Sequence, residues 1–439
     1  MPQILFNDAL KHAIEQVCTH IKLLPGQPVI VRDLRGRICI ALDASEEDES
    51  LRQSLSPLAE SLSLALGAFA CPKKHLFMFQ EDLPDPDFFF QSNELIPVRK
   101  IEGKTIYLLE RQVTGQDWML PLLEQDTSFT DRPPRFTFFG LKGGVGRSTA
   151  LAVWAWHLAR KKYKVLVVDL DLESPGVSSM LLPHDRLPRF GVVDWFVESA
   201  VNQGTYLLPQ MVASSTLPGT NEGWIGVVSA HGSGETDYLA KLSRCYQSQS
   251  SDSGVIPWAE RLALMLTSLE QQERPDVVLL DSRAGLHDIS AVTITRLDAT
   301  AFLFAINTPQ TWMGYRHLFE HWKRHPQLSK FRDRLQLVAG MIPDLEADLY
   351  LNELRDDFFN LFSTTLYEKS SNESDPGYNF DFNDDAAPHT PWNIRWQISL
   401  QGFDPVNKPT RVAQSILDAA FSEFFERTES LLPPRPSRS

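Results

Sequence analysis

Glycines and cations crowd into Lys142-Gly143-Gly144-Val145-Gly146-Arg147-Ser148-Thr149, between the apolar run Phe136-Thr137-Phe138-Phe139 and a segment with helical periodicity. Strand, glycine loop and helix in that order make an anion cradle. The glycines let successive backbone N–H groups curl inward, and the first helical turn adds unpaired amides and the positive end of its dipole. Gly143, Gly144, Val145 and Gly146 form the cradle, Arg147 and Thr149 border it, and Ser148 sets its hydroxyl where a P-loop holds magnesium. Two positions depart from the common phosphate-binding pattern. Leu141 stands at the first glycine, and Arg147 replaces the lysine that reaches the β- and γ-phosphates. Lys142 adds a second cation at the entrance. A ligand-free glycine turn is the bland alternative, and the flanking strand and helix weigh against it.

Two further stretches end in acid. Val165-Leu166-Val167-Val168-Asp169-Leu170-Asp171 has the continuous apolar character of a buried parallel strand, and it delivers Asp169 and Asp171 to the carboxyl edge of a sheet. Val277-Val278-Leu279-Leu280-Asp281 does the same for Asp281 and runs on into Ser282-Arg283-Ala284-Gly285. One acidic strand end is weak evidence, since surface carboxylates abound. Three stretches in this order are strong.

With its lysine at position 142, the loop resembles the deviant P-loop of the MinD/ParA family of dimeric ATPases, written K-G-G-x-G-K-S/T. The strand ending in Asp169 and Asp171 is similar to that family's switch I, and the one ending in Asp281 to its Walker B strand and switch II, commonly D-T-P-P-G. The resemblance implies ATP and Mg2+ as ligands. It implies that Lys142 reaches the partner's nucleotide across a homodimer, that Asp171 orients the attacking water, and that Ser148, Asp169 and Asp281 serve the magnesium shell. Arg147, as the P-loop cation, joins Lys142 and Asp171 in the catalytic set. The likeness covers roughly residues 134–428, with firm motifs at these three places. In relatives an asparagine near a later strand end contacts adenine; here Met341 and Ile342 stand nearby.

The implied fold is α/β: a mostly parallel P-loop sheet flanked by helices, preceded by a small α+β domain. A chain of 439 residues suits two such domains. The expected division is residues 1–110, a connector over 111–134 marked by Pro133-Pro134, the ATPase domain over 135–428 and a disordered, proline-rich tail over 429–439. Within the first domain, helical spacing predicts an opening helix from Phe6 to Ile21 and another across 51–66. Val29-Ile30-Val31 and Ile38-Cys39-Ile40 read as a hairpin around Asp33-Leu34-Arg35-Gly36, with further strands over 75–79 and 105–109. No catalytic constellation appears there.

Elsewhere the sequence restrains functional readings. A formal charge of −14 gives no global attraction to nucleic acid or anionic lipid. Four cysteines, Cys18, Cys39, Cys71 and Cys245, form no C-x-x-C pair and read as buried thiols. No basic-then-apolar leader and no run of 18 apolar residues occurs, which points to the cytoplasm and away from membranes. The terminal helix carries Val412, Leu417, Phe421, Phe424 and Phe425 on one face and net acidity on the other, so it reads as core-packed. His231 reads as a loop residue. Arg283 reads as a salt-bridge partner of Asp288 or another carboxylate in preference to an arginine finger. Residues 248–254 are serine-rich and read as mobile, and residues 346–385 as an acidic insertion with a loop at Ser370-Ser371-Asn372 and Asp375-Pro376-Gly377. Arg316, His317, His321, Lys323, Arg324, His325, Lys330, Arg332 and Arg334 make the most basic stretch and mark the place to look for DNA contact. Glu320, Asp333 and the lack of a base-reading motif favour a solvated face instead.

The sequence thus leads to an ATP-binding, ATP-hydrolysing switch that dimerises on ATP and controls a partner protein. The alternative is a nucleotide-dependent scaffold with little hydrolysis, in bacterial signalling or defence against phage. A bacterial tyrosine kinase ranks last, because no tyrosine follows Tyr378.

Overall fold

A computed structural model describes residues 4–123, 132–234, 237–251, 254–368, 377–408 and 413–434. The expected loop at Ser370 to Pro376, Val412 of the terminal helix and the tail beyond Pro434 lie outside these residues. The chain forms two compact units, Met1–Pro121 and Leu122–Ser439. The boundary falls inside the segment expected to be a connector.

In the first unit, α1 (Phe6–Thr19), β1 (Val29–Arg32), β2 (Ile38–Ala41), α2 (Glu49–Leu66), β3 (Phe77–Met78), α3 (Pro86–Phe90), β4 (Ile96–Ile101) and β5 (Lys104–Glu110) follow in order. The sheet runs β3-β2-β1-β5-β4. The hairpin pairs Ile30 with Ile40 in antiparallel register, and β1 pairs with β5 in parallel. Ala9, Ala13 and Val17 of α1 meet Leu55, Leu58 and Leu62 of α2 in one apolar core with Ile30, Ile38 and Ile40. Asp48 caps α2 by accepting the Leu51 N–H at 3.0 Å. The edge strand β4 escapes sequence reading because Pro97 and two cations break its alternation, a pattern that only an edge tolerates.

In the second unit, β6 (Arg135–Gly140), α4 (Arg147–Arg160), β7 (Lys164–Asp169), α5 (Val177–Leu181), α6 (Val192–Ser199), α7 (Gly204–Leu207), β8 (Val212–Ser214), β9 (Trp224–Val228) and α8 (Tyr238–Cys245) come first. A short antiparallel hairpin, β10 (Gln249–Ser251) with β11 (Gly254–Ile256), occupies the serine-rich stretch expected to be mobile. Then come α9 (Trp258–Glu273), β12 (Val277–Asp281), α10 (Asp288–Ala291), β13 (Thr300–Ala305), α11 (Pro309–Trp322), β14 (Leu335–Ile342), α12 (Ala347–Thr365), β15 (Trp392–Arg395) and α13 (Gln414–Thr428). Eight strands run β15-β14-β13-β6-β12-β7-β9-β8, and every pair is parallel except β8 with β9. This is an α/β fold with a mostly parallel sheet covered on both faces.

Alternate residues of the central strands feed the two cores. Phe136, Phe138, Val165, Val167 and Phe302 pack on one side with α4 and α13, while Leu166, Val168, Val278 and Leu280 pack on the other with α6 and α9. The continuous apolar strands of the sequence follow from this double burial. Phe424 of α13 lies edge-on to Trp154 of α4 at 5.8 Å, so the terminal helix is part of the core. The chain stays ordered past it: Glu429–Leu431 make a further turn and the Tyr163 hydroxyl donates to the Pro433 carbonyl at 3.0 Å. Residues 429–434, placed by the sequence in the expected tail, are held against the unit by this hydrogen bond and by the packing of Leu432.

Candidate nucleotide site

Parallel register brings the strand ends together. Asp281 on β12 is the direct partner of Asp169 on β7, and also of Phe138 on β6, the strand that leads into the glycine loop. Both carboxylates are fully buried, and Asp171 lies two residues beyond Asp169. The loop turns through Gly144 at φ 77° and Gly146 at φ 85°, a left-handed conformation that suits glycine, and Gly146 is the residue from which α4 starts. A side chain at Gly143 or Gly144 would meet nothing within 4 Å, so the cradle opens outward with its backbone accessible. Met341, at the end of β14, adopts φ 58° beside Gly146, a costly conformation for its side chain.

Arg147 is buried and turned toward the acids. Its Nη2 donates to Asp171 Oδ2 at 2.8 Å and its Nε to Asp281 Oδ1 at 3.1 Å. Two buried atoms here make no hydrogen bond among the described residues, Arg147 Nη1 and Asp281 Oδ2. Burial pushes the Asp281 carboxyl up, opposed by the Arg147 charge and the nearby Ser148 hydroxyl. Asp169 is pushed up to about 7 by burial and by the Asp281 charge. Its oxygens are already engaged: Oδ2 accepts from the Ser178 hydroxyl at 2.5 Å and Oδ1 from the Asp171 N–H at 3.3 Å.

Hard oxygen donors beside a buried, unpaired carboxylate oxygen fit a magnesium ion, which keeps most of its shell for phosphate and water. Ser148, half-buried at the start of α4, and Asp281 are the residues placed to hold it. Lys142 lies at the loop entrance and donates to Gln310 Oε1 on α11.

The neighbouring expectations resolve locally. Arg283 pairs with Glu173 at 2.5 Å, which also accepts the Tyr246 hydroxyl at 2.5 Å, so its carboxylate partner comes from the segment after Asp171. His287 caps α10 by accepting the Ile289 N–H at 3.2 Å, and burial holds its pKa below the usual range. His231 stays in its loop beside Tyr238. Part of the basic stretch is neutralised within the unit: Arg332 pairs with Glu368 at 2.6 Å, Arg334 with Asp298, and burial lowers His321 to about 4. Glu173 and Tyr246 carry no motif. Only their proximity to Arg283 marks them, and sequence reasoning passed over both.

The second unit is an α/β fold in which strand β6, the glycine loop and helix α4 have the arrangement of a P-loop. No family model matches the chain. No curated protein matches it either. Solved structures similar to it include a ParA family ATPase from Chlorobium tepidum TLS, at 14% identity over 66% of this chain and 99% of that one, TM-score 0.43. Similar too are pNOB8 ParA, at 15% identity over 67% and 95%, TM-score 0.41, and cobyrinic acid a,c-diamide synthase from Mycobacterium smegmatis with an ATP analog and magnesium, at 15% over 51% and 82%, TM-score 0.37. No helix among the described residues is long and apolar enough to cross a membrane.

Proposed function

We propose that the second unit binds ATP with Mg2+ and hydrolyses it as a MinD/ParA-like switch, pairing with a second copy in the ATP state to control a partner protein. One observation carries the reading. A glycine loop opening onto a helix start lies beside two register-paired buried carboxylates, and Arg147 Nη1 and Asp281 Oδ2 are buried with no hydrogen-bond partner among the described residues. The amides of Gly143 to Gly146 hold the phosphates, and Ser148 and Asp281 hold magnesium, which supplies charge neutralisation when bound. Asp171 orients water. Arg147 has five donors in a rigid fork, so it grips Asp171 and Asp281 and still offers Nη1 to a phosphate oxygen, which a lysine's single ammonium would not span. The role of Lys142 across a dimer rests on the resemblance alone.

The grip of Arg147 on Asp171 also favours a second reading, a nucleotide-dependent scaffold with slow turnover, because a carboxylate held by a cation is a weaker guide for water. Phosphate release with ATP and magnesium, alongside nucleotide binding and light scattering, separates the two. Turnover lost in Asp171→Ala, with binding retained and mass doubling on ATP, supports the switch. Binding and doubling without turnover support the scaffold, and absence of nucleotide binding sinks both.

A further inference from the structure

The edge of β2 in the first unit collects sulfur. Two segments run along it in parallel: Ala70 bridges Ile38, with the Cys71 N–H donating to the Ile38 carbonyl at 3.0 Å, and farther on Met78 of β3 pairs with Ala41. This register sets Cys71 opposite Cys39. Neighbouring strands stand about 4.8 Å apart, inside the Cα separation a disulfide requires. Both side chains lie in the same small apolar cluster, with Val29, Val31, Ala41 and Leu109. Cys39 is 5% exposed and its Sγ lies 3.4 Å from Met78 Sδ, whereas Cys71 is only half-buried. The expectation of buried thiols holds for Cys39 and Cys245, whereas Cys18 and Cys71 are half-buried, and Cys71 lies beside Cys39. Distance along the chain hid a neighbour that strand register supplies.

The two thiols differ in role. Contact with Cys71 and burial push the Cys39 thiol far up, while the Cys39 thiol acts on Cys71 in the opposite direction and draws it below the ordinary range. Asp33 and Arg37, ion-paired with each other at 2.8 Å, act on both thiols in opposite directions, Asp33 the more strongly. A half-buried sulfur open to solvent on one side, with a second thiol beside it, is the arrangement in which an oxidised cysteine is resolved as a disulfide.

We propose that Cys39 and Cys71 form an oxidation site in which the Cys71 sulfur attacks hydrogen peroxide and Cys39 closes the disulfide. The Cys71 thiolate displaces hydroxide from peroxide and becomes a sulfenic acid. The Cys39 sulfur then attacks the Cys71 sulfur, the S–O bond breaks, and the oxygen leaves as water with the Cys39 proton. Two thiols and one peroxide give one disulfide and two waters. Cys18 and Cys245 serve as internal references, the first half-buried and the second buried against the Leu242 carbonyl.

The test treats the full chain with a small excess of hydrogen peroxide, then denatures it, alkylates free thiols and maps peptides by mass spectrometry. The expected result is a Cys39–Cys71 linked peptide within one chain, lost on reduction, with Cys18 and Cys245 still alkylated. In Cys39→Ser the reaction should stop at a Cys71 sulfenic acid that dimedone traps, and in Cys71→Ser no linked peptide should form. Circular dichroism confirms that each variant is folded. Cys39 and Cys71 remaining alkylated while Cys18 oxidises would overturn the proposal, as would linkage only between chains.

Discussion

Replacing Arg147 with methionine removes a charge while keeping an unbranched side chain, and it tests whether that one cation holds the two acidic strand ends. The side chains of Arg147, Asp171 and Asp281 are 8%, 11% and 0% exposed, so the loss leaves two carboxylates facing each other in a medium that screens poorly. Truncating one partner of a buried pair costs about 3–5 kcal/mol, most of it from the charge left behind. A unit of ~300 residues unfolds with roughly 0.6 kcal/mol per kelvin of entropy, so the melting temperature of the second unit should fall by about 5–8 °C. Calorimetry without magnesium reads this directly.

The same reasoning predicts which second changes restore the loss. Arg147→Met with Asp171→Asn removes one of the stranded charges, so the double variant should be more stable than the two single losses add up to, by about 1–3 kcal/mol. Magnesium should raise the melting temperature of Arg147→Met more than that of the parent, in which the guanidinium already neutralises Asp281. Additive single effects, or a variant that melts with the parent, would refute the idea that the arginine balances these acids.

Three further outcomes follow from other parts of the chain. Lys142→Ala should bind nucleotide as the parent does yet show no ATP-dependent doubling of mass by light scattering; doubling that persists would remove Lys142 from the dimer contact. Arg135 donates to both Glu270 oxygens at 2.7 and 2.8 Å with neither side chain more than 7% exposed, so Arg135→Met should cost about 3–5 kcal/mol, read as a lowered melting temperature of the second unit. His157 stacks on Phe425 at 3.7 Å, and burial, with Lys161 and Arg160 nearby, lowers its pKa to about 4. The unfolded chain takes up this proton first, near pH 6.5, so the stabilisation is complete above that value and is lost as pH falls toward 4. With a discount for its partial exposure the loss is on the order of 1–2 kcal/mol, and His157→Phe should flatten the fall in melting temperature between pH 7 and pH 5.

The sequence announced the central strands because burial on both faces forces continuous apolar runs, and it announced Asp169 and Asp281 because a carboxylate closing such a run has few structural reasons to be there. It did not announce β15, whose Trp392-Asn393-Ile394-Arg395 becomes a strand only through pairing with β14. Nor did it show the partners of Arg283 or the meeting of Cys39 with Cys71, since both depend on how segments far apart in the chain come to lie side by side. Side-chain direction was the least legible of all. From sequence Arg147 differs from a P-loop lysine by length and planarity; in the folded chain it is a bridge between Asp171 and Asp281.

That bridge changes what the substitution means. A lysine in a glycine loop is a point charge that moves freely among phosphates, whereas an arginine tied to two carboxylates carries any pull on its free Nη1 into both strand ends at once. Charge-assisted hydrogen bonds of this kind are worth about 1.5–3 kcal/mol each, so, on the proposed reading, a phosphate held by Nη1 and the position of Asp171 are energetically linked on that scale. Asp171 in turn is joined through its backbone N–H to Asp169, and the segment after it, through Glu173, to Arg283 and Tyr246. Arg147 therefore places the glycine loop, both acidic strand ends and the segments that follow them in one contiguous network.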